Sequence, residues 1–109
     1  MRTETQDVVD LSDVVVVTGR VDVSTVAALR ETLHAAVDRS AGQLVIDVAG
    51  VGTIDATGLA MLVGTQRRAH ARGHDLVLRD VPVRMARLLR ATRLDRVLRS
   101  EVAVPVGAV

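Results

Sequence analysis

Leu44-Val45-Ile46-Asp47-Val48, then Ala49-Gly50-Val51-Gly52-Thr53, then Ile54-Asp55-Ala56-Thr57-Gly58-Leu59: these sixteen residues decide the fold class. The first five form an apolar run of strand length, as expected for a strand buried on both faces. The next five are glycine-rich and read as a loop. An acid then precedes a hydroxyl residue and a helical repeat of apolar positions, with Leu59, Leu62, Val63, Gln66 and Ala69 as its stripe. Arg67, Arg68 and Arg72 crowd the far end, where positive charge suits the helix dipole, and Gly73 closes it. Strand, loop and helix in this order read as one unit of an α/β sheet.

Working outward, the upstream sequence supplies a hairpin. Residues 3–10 read as a mixed strand and Leu11-Ser12-Asp13 as a turn. Val14 to Thr18 is a second, β-branched strand, ended by Gly19. Asp22 to Arg39 reads as a helix capped by Asp22 or Ser24, with Val26, Leu29, Leu33, Ala36 and Val37 on its inner face and Ser40-Ala41-Gly42 as its stop. Downstream, Leu76-Val77-Leu78 is a strand. Pro82 opens a third helix running to about Thr92, with Met85, Ala86, Leu88 and Leu89 inward and Arg84, Arg87 and Arg90 outward. Val97-Leu98 and Val102-Ala103-Val104 offer a last short strand before a loose tail from about residue 105. The expected order is ββαβαβα with a possible final strand. Strands joined through helices imply parallel pairing.

The chain of 109 residues fits a single domain spanning 1–109. It lacks Phe, Tyr and Trp, so its core is built from Val, Leu, Ile, Ala and Met. It also lacks cysteine, which excludes disulfides, thiolate metal sites and cysteine nucleophiles and suits a reducing cytoplasm. Neither a signal-peptide pattern nor a run long and apolar enough to cross a bilayer is present, so no membrane insertion is expected. All 14 basic residues are Arg. Residues 1–66 carry a balance of −5 and residues 67–99 a balance of +7.

Two segments can carry chemistry. In Asp55-Ala56-Thr57-Gly58, Thr57 stands in the first turn of a helix, where free backbone N–H groups and the dipole stabilise an added anion. A phosphate there would bring nearly two negative charges to a surface that a partner needs. Gly58 leaves room for another backbone to approach. In Gly19-Arg20-Val21-Asp22, the acid opens a helix on the same rim, since both segments follow strand C-termini. On spacing alone, ordinary helix capping is the commoner explanation of both.

Other chemistries find little support. Gly50-Val51-Gly52 is followed by no Gly-Lys-Ser/Thr, so it is not a P-loop. His34, His70 and His74 do not form a spaced ligand set, and no cofactor is called for. The Arg-rich third helix stands in a chain of near-zero net charge without stacking aromatics, which argues against direct nucleic-acid binding. A solvated face, or one that meets an acidic protein, fits it better.

The segments above resemble the STAS domain, particularly the bacterial anti-sigma-factor antagonists. Gly19-Arg20-Val21-Asp22 is similar to the family's Gly-x-Leu/Val-Asp after the second strand. Leu44 to Val48 with Ile54-Asp55-Ala56-Thr57-Gly58-Leu59 is similar to its strand-loop-Asp-Ser-Ser/Thr-Gly-Leu signature. Gly73-His74-Asp75-Leu76-Val77-Leu78, Val81-Pro82-Val83 and Leu88-Leu89 resemble its C-terminal part. The resemblance implies an α/β fold: a mixed sheet of four to five strands with helices packed mainly on one side. It also implies a partner-switching role without enzymatic activity. The unphosphorylated antagonist binds an anti-sigma factor, usually an ATP-binding serine/threonine kinase, and so releases the sigma factor. Phosphorylation of the second hydroxyl position, here Thr57, ends binding, and a PP2C-type phosphatase restores it. Asp22, Asp55, Ala56 and Gly58 match the surrounding binding rim.

Two positions depart from the family pattern. Ala56 replaces the usual first Ser, and Thr57, whose extra methyl restricts χ1, replaces the commoner Ser. An alternative implied by the same resemblance is an accessory subunit of a lipid-transport ABC system, docked on its ATPase through the same rim. A third is a small-molecule or nucleotide sensor, which lacks a lysine-bearing phosphate loop.

Overall fold

The computed structural model describes residues 7–11 and 13–102. Strands β1 (Asp7–Leu11), β2 (Val14–Val21), β3 (Gln43–Ile54), β4 (Asp75–Arg79) and β5 (Arg99–Glu101) form one sheet in the order β1-β2-β3-β4-β5. Helices α1 (Val26–Arg39), α2 (Ala56–Ala71) and α3 (Val83–Ala91) separate the later strands, with a 3-10 turn, Leu94–Arg96, after α3. β1 pairs antiparallel to β2, and every other pair is parallel. The α/β class and mixed sheet are therefore as expected. Residues 3–6 of the expected first strand, Ser12 of the turn, Ala103 and Val104 of the expected last strand and the tail from 105 lie outside the described residues.

Alternation along the strands sets the layers. Val15 and Val17 of β2, Leu44, Ile46 and Val48 of β3, and Leu76 and Leu78 of β4 are buried in one contiguous core. The same core takes Leu29, Leu33 and Val37 from α1, Leu59 and Leu62 from α2, and Met85 and Leu89 from α3. All three helices thus lie on one face. The opposite face carries the other parity, where Asp47 pairs in register with Arg79. Their side chains meet there, with Arg79 Nη2 at 3.0 Å from Asp47 Oδ2.

Four boundaries differ from the sequence expectation, each for a tertiary reason. Gly19 does not end β2. The strand continues to Val21, with register irregularities on either side of Gly19, which adopts φ 84°. A bulge at a left-handed glycine lets the strand bend and go on. This continuation recruits the glycine-rich segment 49–53, so β3 extends through Ile54 instead of stopping at Val48. α1 begins at Val26, not Asp22, because residues 22–25 form a polar turn. The inner stripe of α2 runs through Gly58, Leu59, Met61, Leu62, Thr65 and Ala69, while Val63 and Gln66 are only half-buried. Thr65 is tolerated inside because its hydroxyl donates to the Met61 carbonyl at 2.9 Å.

In α3, Met85 and Leu89 are buried and Ala86 and Leu88 half-buried. The last strand falls on Arg99–Glu101, whose side chains are exposed, while Leu98 just before it fills the core.

Candidate functional site

The site grows from the C-terminal ends of β2 and β3, which leave the sheet side by side at Val21 and Ile54. The Asp55 N–H donates to the Val21 carbonyl at 3.3 Å. Asp55 then caps α2: its Oδ1 accepts the Gly58 N–H at 2.8 Å. An Asp at this position satisfies a donor that the first helical turn leaves free. Its other oxygen, Oδ2, accepts the Val23 N–H at 3.2 Å, reaching the turn after β2. Both carboxylate oxygens are therefore engaged by the chain's own backbone.

Asp22 organises that turn. Its Oδ1 accepts from the Ser24 N–H at 3.0 Å and from the Ser24 hydroxyl at 2.6 Å, and its Oδ2 accepts from Arg20 Nε at 3.0 Å. The Ser24 hydroxyl bond, helped by Arg20 and the Ser24 N–H, holds the Asp22 carboxyl below the usual carboxylate range against an opposing desolvation effect. The Thr25 hydroxyl donates to the Arg20 carbonyl at 3.0 Å and accepts the Asp22 N–H at 3.0 Å. The two candidate segments thus meet, with the Asp22 turn seated against the N-terminus of α2.

Gly58 is buried, and the backbone it admits belongs to this chain. A Cβ at this position would run into the Val21 carbonyl and come within 2.9 Å of Ile54 Cγ1. The glycine is what lets α2 start directly against the end of β2. Ala56 and Thr57, one and two positions inside the helix, are exposed. The Thr57 hydroxyl makes no hydrogen bond to any described residue, so the rim presents a free hydroxyl on a well-tied frame.

Two features escaped the reading of the sequence. Val23, at the tip of the polar turn, is 72% exposed beside Asp55. Its only signal in the sequence was an apolar residue between two polar ones. Second, a groove of about 380 Å³ starts at Ala56 and runs along α2 past Leu59, Ala60 and Val63, with Thr92 and Leu94 on its far side. It lies between α2 and the turn that follows α3, a juxtaposition that no local pattern encodes.

The histidines do not join the rim. His74 Nδ1 lies 3.0 Å from the Ser40 hydroxyl and 3.1 Å from the Val37 carbonyl. His34 sits near Arg68 and Asp38 at the opposite ends of α1 and α2 from the rim. Among the described residues no group of three or more metal-ligating side chains comes together, and no helix is long and apolar enough to cross a membrane.

With this geometry in view, the comparison with known families is direct. A family model described as "Mlab, STAS domain" matches residues 4–100. This chain belongs to the STAS domain family. Solved STAS structures agree. A crystal structure of an anti-sigma factor antagonist from Mycobacterium paratuberculosis is 27% identical, with a TM-score of 0.73 over 90% of this chain and 85% of that one. The Bacillus cell fate determinant SpoIIAA in its phosphorylated form is 16% identical, with a TM-score of 0.66 over 94% of both chains. A sulfate transporter family protein from Wolinella succinogenes is 24% identical, with a TM-score of 0.63 over 86% of this STAS domain and 80% of that chain.

Proposed function

We propose that this STAS domain is a cytoplasmic anti-sigma-factor antagonist that acts by binding, without catalysis of its own, and is switched off by phosphorylation at Thr57. The observation that carries the reading is the free, exposed hydroxyl of Thr57 in the first turn of α2, framed by an Asp55 carboxylate already committed to the backbone. The likeness to an anti-sigma factor antagonist at 27% identity supports the general role. Asp22, Val23, Asp55, Ala56, Thr57 and Gly58 make up the binding rim, in which Asp22, Asp55 and Gly58 set the shape and Val23, Ala56 and Thr57 present the surface. The partner is an anti-sigma factor with an ATP-binding serine/threonine kinase fold, and a PP2C-type phosphatase reverses the modification.

The switch needs no large rearrangement. A partner surface fitted to a neutral hydroxyl would have to desolvate a dianion without a counter-charge, which costs several kcal/mol, on the order of 2–5. Threonine at position 57 confines χ1, so the kinase that uses it must accept a β-branched acceptor.

The test is phosphotransfer. The protein is mixed with ATP and each small anti-sigma-type serine/threonine kinase of its genome, and intact mass and fragmentation locate any phosphate. Phosphate on Thr57 from one kinase supports the reading and names the partner. A second reading, which rests on the family resemblance, is an accessory subunit of a lipid-transport ABC system. Absence of phosphate with stable binding to a transporter ATPase would select it.

A further inference from the structure

The extension of β3 leaves a strand edge open. β4 pairs with β3 only from Gln43 to Asp47, while β3 continues to Ile54 on the arm of β2. On the β4 side of residues 49–54, no described strand completes the ladder. α3 stands across from this edge, and between them lies an open trough of about 420 Å³. Gly52, Thr53 and Ile54 form one wall, and Arg84, Arg87 and Leu88 the other, with Ala91 at the end.

The lining has a definite chemistry. Gly52 and Thr53 are exposed and small, so the backbone edge is accessible. Ile54 and Leu88 are half-buried and give an apolar floor. Arg84 and Arg87 are exposed, and neither makes an ion pair or hydrogen bond with any described residue. Arg20, Arg68, Arg72, Arg79 and Arg99 each pair with an aspartate, so the guanidiniums of Arg84 and Arg87 belong to the arginines left open to an outside anion. Among the described residues, no carboxylate lines the trough.

We infer that this trough docks an extended acidic segment of a partner protein, which adds as a strand along Gly52–Ile54. The free edge supplies main-chain hydrogen bonds, as in other strand-addition sites. Alternate side chains of the guest would then point into the trough and away from it. Aliphatic ones rest on Ile54, Leu88 and Ala91, and Asp or Glu meets the two guanidiniums, whose planar forks bind carboxylates in pairs. A nucleic acid has no amide backbone to match the edge and would find no aromatic side chain to stack on. Thr57 is not among the residues that line this trough.

The test is a display library of random nine-residue peptides, panned on the unphosphorylated protein with counter-selection on the Arg84→Glu/Arg87→Glu variant. Enriched peptides should carry acidic and aliphatic residues at positions of the same parity, which face the trough together. Synthesised singly, they should lose about tenfold or more in affinity for the charge-reversed protein, the loss expected for two exposed charge pairs turned repulsive. The Arg84→Lys/Arg87→Lys variant should recover part of that affinity, because it keeps the charge but not the fork. In amide NMR spectra, the Gly52, Thr53 and Ile54 signals should shift on peptide addition, with the Ile54 amide gaining exchange protection, since the next N–H, that of Asp55, turns to Val21 on the β2 side. The inference is overturned by enrichment of non-acidic peptides or no enrichment, by equal affinity for the charge-reversed variant, or by shifts that map elsewhere. It is also overturned if inorganic phosphate at millimolar concentration displaces the peptides and reproduces the shifts, which would mark a small-anion site.

Discussion

Asp55 Oδ2 accepts the backbone N–H of Val23 at 3.2 Å, joining two segments that lie 32 residues apart in the chain. The same carboxylate caps α2 through Gly58. One side chain therefore holds both halves of the candidate rim, and it does so with hydrogen bonds that a partner cannot borrow without loosening the fold.

Replacing this carboxylate should be costly. Asp55→Ala removes both acceptors at once and should lower the unfolding free energy by about 1–2 kcal/mol, the usual range for a lost N-cap. Asn keeps the acceptor for Gly58 but would set an NH2 group against the Val23 N–H, so Asp55→Asn should fall between wild type and Asp55→Ala. Urea unfolding compares the three proteins. Amide exchange at Val23 should accelerate in Asp55→Ala, and an unchanged rate would argue against the link between the turns.

Two glycines of α2 should respond in opposite directions. At Gly58, a methyl group meets the Val21 carbonyl, a backbone atom that cannot swing aside. Gly58→Ala should destabilise by about 1–3 kcal/mol, the cost of overpacking. At Gly64, nothing lies within 4 Å of the added carbon. Gly64→Ala should stabilise by about 0.5–1 kcal/mol, by restricting the unfolded chain inside a helical position. Thermal midpoints that move the same way for both variants would contradict this account.

Stability should fall on mild acidification, with His34 as one source. Burial, then the nearby Arg68 and Arg30, pushes its pKa below the ordinary 6.5, outweighing the attraction of Asp38. The folded state therefore favours the neutral ring and the unfolded state binds the proton more readily. The contribution is complete above the ordinary value and is lost as pH falls through the lower folded value. Between pH 7.5 and 5.5, the urea midpoint should drop more for wild type than for His34→Gln. Equal slopes would remove His34 from the explanation. Asp22 and Asp38, both held below the ordinary 3.8, contribute only at more acid pH, where their stabilisation is lost as they protonate.

At the rim itself, Thr57→Glu should weaken binding to the anti-sigma partner by about tenfold or more, while Thr57→Ala should bind but accept no phosphate. Val23→Asp should also weaken binding. Because Val23 is 72% exposed, that change should leave stability within about 0.5 kcal/mol. Isothermal titration with the purified partner, alongside thermal melts, separates the two effects. Full affinity in Thr57→Glu would defeat the electrostatic account of the switch.

Local pattern was enough for much of this protein. The β-branched run at Val14–Thr18, the 3.6-residue apolar repeat from Val26 to Val37, and the acid ahead of Thr57 each specify their element through short-range sterics and capping. The alternation of strands and helices was sufficient for a largely parallel sheet, and the Asp55 to Leu59 motif located the start of α2 within a residue.

The rest waited for the tertiary structure. Glycine-rich residues 49–53 look like a loop on their own and become strand only because β2 bends through Gly19 and offers a ladder. Which side of α2 faces inward, with Met61 and Thr65 buried instead of Val63 and Gln66, depends on where the sheet and α1 stand against it. The need for glycine at position 58 comes from a carbonyl 37 positions earlier in the chain, at Val21. The free edge above Asp47 comes from the unequal lengths of β3 and β4. Propensity and capping act over a few residues and can be read along the chain. Ladder partners, close backbone approach and open edges join residues that only the folded chain brings together.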